Sequence, residues 1–486
     1  MRFTLGERCR NPHPNPPICV NLTDWSKPVN RERIVAVVDK SNVRKASDMS
    51  KVTRLLARNW DEVVAEIPDD LDASAKEHQA LVRRRGIKRA ADLLRMILMY
   101  AILLSLRLTA VWCVGLQLCD ISRQAIEKRV LNSTSWLRHL TAVLLRTVVP
   151  APAPGSQAIK RVVLRDGSVI SRPGSSGTEW RLHLSWQPFA LQPVELTTTD
   201  AHTGEGLATA GIQTGDLVLA DRAYGIWREV QVVLDALAYL VIRLTWSNLP
   251  LCTPDGQSFD LPAWLRTIPE DQLMTQVTVY IADDPQRRPL RLVAGRVPPE
   301  KAKEARTAVH RRARKKKRTP HPNTLLVAGF CLLLTNLPAH TWPMCAVLAW
   351  YRVRWQVEWC FRRWKSLCHL DQLPTYPAAI AEPVLLAKTI IVLLVQQRLG
   401  ALPWADWWAD PLQPAPVVST LVQLAYARIR DLIRPPAVID RLFSNPLPLL
   451  RHLRSSRRTR LLQLSDAMHL LDHLLASTAL SPPSLC

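Results

Sequence analysis

Tyr351, Arg354, Glu358 and Lys365, spaced x2, x3 and x6 within WYRVRWQVEWCFRRWKSL, place a phenol, two cations and a carboxylate where they can act together. A helix turns about 100° per residue, so the four side chains fall within an arc of about 60°. Trp350, Val353, Val357, Cys360 and Trp364 form an apolar stripe beside them and give the helix a core to lean on. A face of this kind can hold a carboxylate and two cations against a phosphate backbone. The plainer alternative is a solvated face carrying an i,i+4 ion pair between Arg354 and Glu358.

Two further carboxylates complete a chemistry-bearing set. Asp166 follows the apolar run RVVL and Asp221 follows LVLA, so each is expected just beyond a buried strand. Breaking or joining a phosphodiester needs an in-line oxygen nucleophile and relief of charge on the leaving oxygen. Two divalent ions about 3.5–4 Å apart supply both, and hard Mg²⁺ or Mn²⁺ favours carboxylate oxygens. Asp166, Asp221 and Glu358 meet that need if their strands are neighbours; taken singly, each acid reads equally as a surface turn residue. The spacings of 55 and 137 residues leave room in the second gap for an inserted subdomain.

The elements that must position these groups can be read along the chain. Residues 1–75 mix proline and charge around one short apolar stretch, 34–38, and read as an arm. Residues 76–148 carry helical patterning through HQALVRRRG, AADLLRMILMYAILLSL, LTAVWCVGLQL and SRQAIEKRVLNSTSWLRHLTAVLL, with Ser122 as an N-cap for the last. Arg123, Lys128 and Arg129 there suit a helix-turn-helix-like surface or the wet face of a small bundle. After a proline-rich joint, VVPAPAPGSQ, strands are expected at 161–164, 181–186, 194–199, 217–220 and 239–244. Residues 250–324 are loop-rich, with strands at 276–281 and 290–293. They also hold the tract RRARKKKR (311–318), read as a mobile loop or helix extension able to anchor phosphates. A strand over 324–334 leads to the Tyr351 helix, and 376–486 reads as helical with proline breaks.

Composition narrows the partners. In 486 residues, 64 basic against 41 acidic side chains leave a charge of +23, which favours a polyanion, nucleic acid before an anionic membrane. No run spans a bilayer by sequence: 96–106 is too short, and Lys388 interrupts 387–395. The ten cysteines form no CxxC pair, so neither a zinc site nor a disulfide scaffold is expected and the chain reads as cytosolic. His469 and His473 have i,i+4 spacing but no third ligand nearby.

The motifs RDGSVI, LADRAYG and Y-x2-R-x3-E-x6-K, in this order, together resemble the DDE transposases of bacterial insertion sequences, specifically the insertion-sequence-four family. RRGIKRAADLLRMILMYAILLSLR and LLLTNLP extend the resemblance over most of residues 80–375. It implies an α/β fold: an RNase H-like catalytic domain (158–249 and 325–375) interrupted by an inserted subdomain (250–324). Helical regions at 76–150 and 376–486 would flank it, the first of them DNA-binding. It also implies that Asp166, Asp221 and Glu358 hold two Mg²⁺ or Mn²⁺ ions. Tyr351, Arg354 and Lys365 would grip DNA, Arg222 and Tyr224 would make secondary contacts, and Trp246 or Trp264 would stack a base. The implied partner is double-stranded DNA, at transposon ends and target, bound by a homodimer in a synaptic complex with no membrane. The rivals are a metal-dependent nuclease or resolvase on the same fold and a non-catalytic, domesticated DNA-binding derivative.

Overall fold

The computed structural model describes residues 59–147, 158–204, 206–375, 377–400 and 417–444, with 402, 452 and 467–473. The arm through residue 58 and the proline-rich joint lie outside the described residues. The architecture is mixed α/β, a nine-stranded sheet with helices on both faces, in the order β3-β2-β1-β4-β5-β9-β8-β7-β6. The first five strands are β1 (Arg161–Ile170), β2 (Trp180–Gln187), β3 (Gln192–Asp200), β4 (Asp216–Ala220) and β5 (Tyr239–Arg243). The remaining four are β6 (Leu251–Cys252), β7 (Met274–Ile281), β8 (Leu290–Arg296) and β9 (Phe330–Thr335). β1 runs parallel to β4 and β4 parallel to β5, while the other pairings are antiparallel.

Strand period divides the interior in two, because successive side chains point to opposite faces. Val162, Leu164, Leu217, Leu219, Val241 and Leu333 enter one core. Val218, Ala220, Leu240, Ile242, Leu332 and Leu334 enter the other. Both faces are apolar because both are covered, which is why the central strands read as unbroken hydrophobic runs. The second core is closed by α7 (Trp227–Asp235) and α8 (Leu261–Arg266). Asp260 caps α8 by accepting from the Ala263 N–H.

The first core is larger and takes in the amino-terminal helices. These are α1 (Trp60–Ala65), α2 (Leu71–Glu77), α3 (Ala90–Leu103), α4 (Leu106–Gly115), α5 (Arg123–Asn132) and α6 (Thr134–Arg146). The helical reading of HQALVRRRG is corrected: α2 stops at Glu77, and Gln79 and Gly86 both adopt positive φ. Ser122 caps α5 as expected, but Ser133 and Thr134 split the anticipated single helix into α5 and α6.

Farther along the chain one strand expectation changes, and the basic tract takes the helix-extension form of its two readings. The strand anticipated over 324–334 is half helix, because α10 (Pro322–Val327) precedes β9. The basic tract is largely the end of α9 (Pro299–Lys315), a 17-residue helix started by proline in its first turn. The strands of 250–324 do not form a sheet of their own, since β8 pairs with β9 and so extends the central sheet.

The Tyr351 signature is carried by α11 (Met344–Val353) and α12 (Trp355–Cys368), which meet at Arg354. Trp364 on α12 is fully buried and meets Trp186 of β2 edge-on, with ring centroids 5.9 Å apart. Behind α12 runs α13 (Ala381–Gly400), followed by α14 (Val418–Ile433) and α15 (Ala437–Ser444). The stretch Ala378–Gly400 is long and apolar enough to cross a membrane, contrary to the sequence reading, but 83% of its apolar window is buried in the protein. Its Lys388 donates to the His369 carbonyl at the end of α12, at 2.8 Å. Arg398 on the same helix pairs with Glu66 at 2.6 Å, and Arg95 of α3 donates to the Leu432 and Ile433 carbonyls of α14. The flanking helical regions are therefore tied into the core that supports α12.

Candidate active site

Parity and register bring two of the acids together. β1 and β4 are paired through Arg165 and Ala220, and β4 and β5 through Ala220 and Ile242. The next residues, Asp166, Asp221 and Arg243, therefore stand in a row along one edge. All three share parity with Val162, Leu219 and Val241, so they point to the face covered by α11 and α12. Asp166 is not beyond its strand, as the sequence suggested: β1 continues through it to Ile170, because β2 pairs along that whole length. Arg165, of opposite parity, is buried under the other face and donates to Ser185 and Thr209.

The helix pair delivers the rest. The Tyr351 hydroxyl donates to Asp221 Oδ1 at 3.2 Å. The Arg354 guanidinium donates through Nη2 to Glu358 Oε1 at 2.7 Å and through Nη1 to Asp166 Oδ2 at 3.4 Å. Asp166 also accepts from the Gly167 N–H at 2.8 Å. Arg354 is 5% exposed, whereas the Asp166 and Glu358 side chains are 19% and 38% exposed. The acids thus face an opening, with the arginine lying beneath them.

Charge in this pocket is set by burial and by arginines. Burial alone would raise the Asp221 carboxyl. The Arg222 N–H and the positive charges of Arg354, Arg222 and Arg243 outweigh it, and Asp221 is held below the usual carboxylate range. Burial, reinforced by the Asp221 charge, pushes the Tyr351 phenol well up, so it remains a hydrogen-bond donor.

By donor chemistry the three carboxylates suit a hard divalent cation. Among the described residues no group of three His, Cys, Asp or Glu side chains is drawn close enough to hold a metal. The Arg354 fork pairs with two of the three carboxylates, Glu358 and Asp166, while Asp221 accepts from Tyr351. His469 and His473 are exposed and belong to no such group.

The five expected DNA contacts separate by exposure. Arg222 is exposed beside Asp221. Lys365 is half-buried and donates to the Val169 carbonyl of β1 at 2.8 Å. Arg354 turns inward to the acids. Tyr351, 6% exposed, serves Asp221 rather than presenting its hydroxyl to solvent. Tyr224 is corrected outright: it is 0% exposed and sits in the second core, because the 3-10 turn Arg222–Tyr224 folds it under the sheet. Trp246 and Trp264 are packed at the margin of that core, Trp246 donating to Thr324 and Trp264 lying against Phe259.

Other residues at the site do not stand out in the sequence. Trp355 and Trp359 flank Glu358 on α12 and are 53% and 48% exposed, each with an arginine, Arg354 and Arg362, over its ring. Two bare tryptophans at i,i+4 on a half-polar helix are the available signal. Arg243 reads only as part of a strand, although it ends a buried run beside the one that leads to Asp221.

Residues 158–393 match the family model described as Transposase DDE domain. The chain is 34% identical over 347 residues to the transposase for insertion sequence element IS421 of Escherichia coli, covering 69% of this chain and 93% of that protein. It is equally 34% identical over 346 residues to the putative transposase InsL for IS186A of Escherichia coli strain K12, with the same coverage. Against the transposase for IS231F of Bacillus thuringiensis subsp. israelensis, identity is 26% over 318 residues, 57% of this chain and 66% of that one. A solved synaptic complex of piggyBac transposase with hairpin DNA aligns over 86% of this chain and 87% of its own, at 12% identity and a TM-score of 0.38, too loose to carry an argument.

Proposed function

The chain belongs to the DDE transposases of bacterial insertion sequences, and we propose that it cuts its element's ends and joins them to target DNA through Asp166, Asp221 and Glu358. The observation that carries the residue assignment is one helix corner at an open sheet edge reaching all three acids: Arg354 pairs with Asp166 of β1 and Glu358 of α12, and Tyr351 donates to Asp221 just past β4. The order β3-β2-β1-β4-β5, an antiparallel meander followed by two parallel strands, supports reading this part as RNase H-like.

DDE transposases use divalent metal ions, which supply an activated oxygen nucleophile and charge relief on the leaving oxygen. In this reading Asp166, Asp221 and Glu358 hold two Mg²⁺ or Mn²⁺ ions. Tyr351 orients Asp221 through its hydroxyl, and the Gly167 N–H fixes the Asp166 carboxylate. Arg354, released from Glu358 and Asp166, offers its planar fork to a strand phosphate. Arg222 and Lys365 add charge to either side. Trp355 and Trp359 offer stacking faces to bases leaving the duplex.

The amino-terminal helices 76–150 would bind element ends, and the insert 250–324 would steady the strand with α9. Synapsis of two ends calls for a homodimer on DNA, acting in the bacterial cytoplasm. The test is incubation of the purified chain with Mg²⁺, target plasmid and DNA carrying the ends that flank its own gene. Joined products are expected. Cut but unjoined ends would favour a nuclease, and a gel shift with neither product would favour a non-catalytic binder.

A further inference from the structure

The loop that leads into the Tyr351 helix is held at both ends, and its second anchor comes from the β7–β8 hairpin. Asn336, in the LLLTNLP stretch, accepts from the Leu240 N–H and donates to the Ala238 carbonyl, each at 2.9 Å. Its side chain thus continues the pairing of β9 with β5. Arg291 of β8 donates through Nη1 to the Leu337 carbonyl at 2.7 Å and to the Trp342 carbonyl at 3.0 Å. Its Nε and Nη2 both donate to Gln276 Oε1 on β7, so the guanidinium is gripped from the other side. A planar fork held through all three nitrogens cannot turn without breaking bonds. Arg291 shares parity with Val293, which puts it on the sheet face that α11 covers.

What the clamped loop controls is the placement of α11, which packs across β7, β8, β9, β5 and β4. The helix begins two residues after Trp342. Near its other end Tyr351 donates to Asp221, and Arg354 follows to meet Asp166 and Glu358. Its backbone is bonded from turn to turn, so a shift at the first turn is carried to the last. Trp342 adds a second link, because its ring centroid lies 6.0 Å from that of Trp350, the neighbour of Tyr351.

We propose that Arg291 is a positioning residue for the reaction: it clamps the 337–342 loop so that α11 sets Tyr351 on Asp221 and Arg354 against Asp166. This rests on the reading of those acids as the catalytic centre. It gives the β7–β8 hairpin a part in catalysis that needs no contact with DNA.

The experiment uses the full chain, Mg²⁺ and end-bearing duplex DNA. Arg291→Met keeps the apolar stem and removes every donor. It should slow single-turnover cleavage at saturating DNA by at least about tenfold, since small misplacements of reacting groups are costly. The half-saturating DNA concentration should move by less than about twofold, as for a group that does not bind substrate. On a Tyr351→Phe background the same substitution should cost less than about twofold, because the two residues act in series. Gln276→Met frees the fork from an exposed strand position. It should give a smaller loss in the same direction, and it carries the test if Arg291→Met does not fold. Asp284→Asn, on the turn of the same hairpin and paired with Arg288, should leave the rate unchanged even where Tm falls as far. Hydrogen exchange reads the clamp without catalysis: amides of 344–353 should exchange faster in Arg291→Met and Gln276→Met than in the wild type. Unchanged exchange, equal losses on the wild-type and Tyr351→Phe backgrounds, a change in half-saturation alone, or equal slowing by Asp284→Asn would overturn the assignment. Asp221→Asn is run in parallel: if it still cleaves, the reading of the acids has failed, and if it does not, a negative Arg291 result counts against the clamp alone.

Discussion

Arg354 donates to Glu358 across 2.7 Å, and its second amino group faces Asp166 at 3.4 Å, so one guanidinium serves as counter-cation to two carboxylates from different elements. It neutralises two of the acids proposed to hold metal. Arg354→Ala should therefore raise the Mn²⁺ affinity of the DNA-free protein by about tenfold, or about 1.4 kcal/mol. Titration followed by the electron paramagnetic resonance of free Mn²⁺ reads this directly, and an unchanged affinity would sink the idea. The same variant should bind end DNA more weakly, with a flatter salt dependence.

Asp166→Asn, Asp221→Asn and Glu358→Gln keep size and remove charge. Each should lower cleavage by at least about 10³-fold, since loss of a ligand removes several kcal/mol of transition-state stabilisation. End binding in gel shifts should persist. Any of the three that still cleaves at wild-type rate removes that residue from the site.

Trp364 joins α12 to β2 through its contact with Trp186 and is fully buried. Trp364→Ala should cost about 3–5 kcal/mol in urea unfolding. Cleavage should fall as well, because Glu358 rides on the same helix. A loss under about 1 kcal/mol would mean that the helix is held by other contacts.

Burial depresses the Lys388 ammonium from 10.5 to about 8, against the attraction of Asp371. An unfolded lysine keeps its proton to about pH 10.4. Between pH 8 and that value the unfolded chain binds more protons, so stability must rise with pH there and be flat below. Wild-type stability relative to Lys388→Met should increase by up to about 3 kcal/mol across this window. A difference independent of pH would refute the buried, depressed lysine.

Lys315, Lys316, Lys317 and Arg318 are all exposed at the end of α9. Their joint replacement by Ala should weaken binding to any DNA and reduce the salt slope by about 0.9 for each phosphate no longer neutralised. The ratio of end to non-specific affinity should stay within about twofold. Collapse of that ratio alone would assign the tract to sequence reading.

Local geometry makes part of this protein legible in its residues. Helical spacing already aligns Tyr351, Arg354, Glu358 and Lys365, because rotation per residue is a property of the backbone and needs no partner. Apolar runs before Asp166 and Asp221 announce strands for the same reason, and Ser122 announces its helix by its hydroxyl. Which side of a strand faces which helix is not local. Whether a tyrosine meets DNA or the core depends on that alone, so Tyr224 reads wrongly as a DNA contact and Arg243 passes unnoticed. β1 runs on through Asp166 because β2 lies alongside it, and the insert extends the sheet because β8 finds β9. Pairing register and long-range burial decided these points. They bring Arg354, whose pair with Glu358 the i,i+4 spacing already allows, against Asp166, which the spacing of residues along a chain cannot encode.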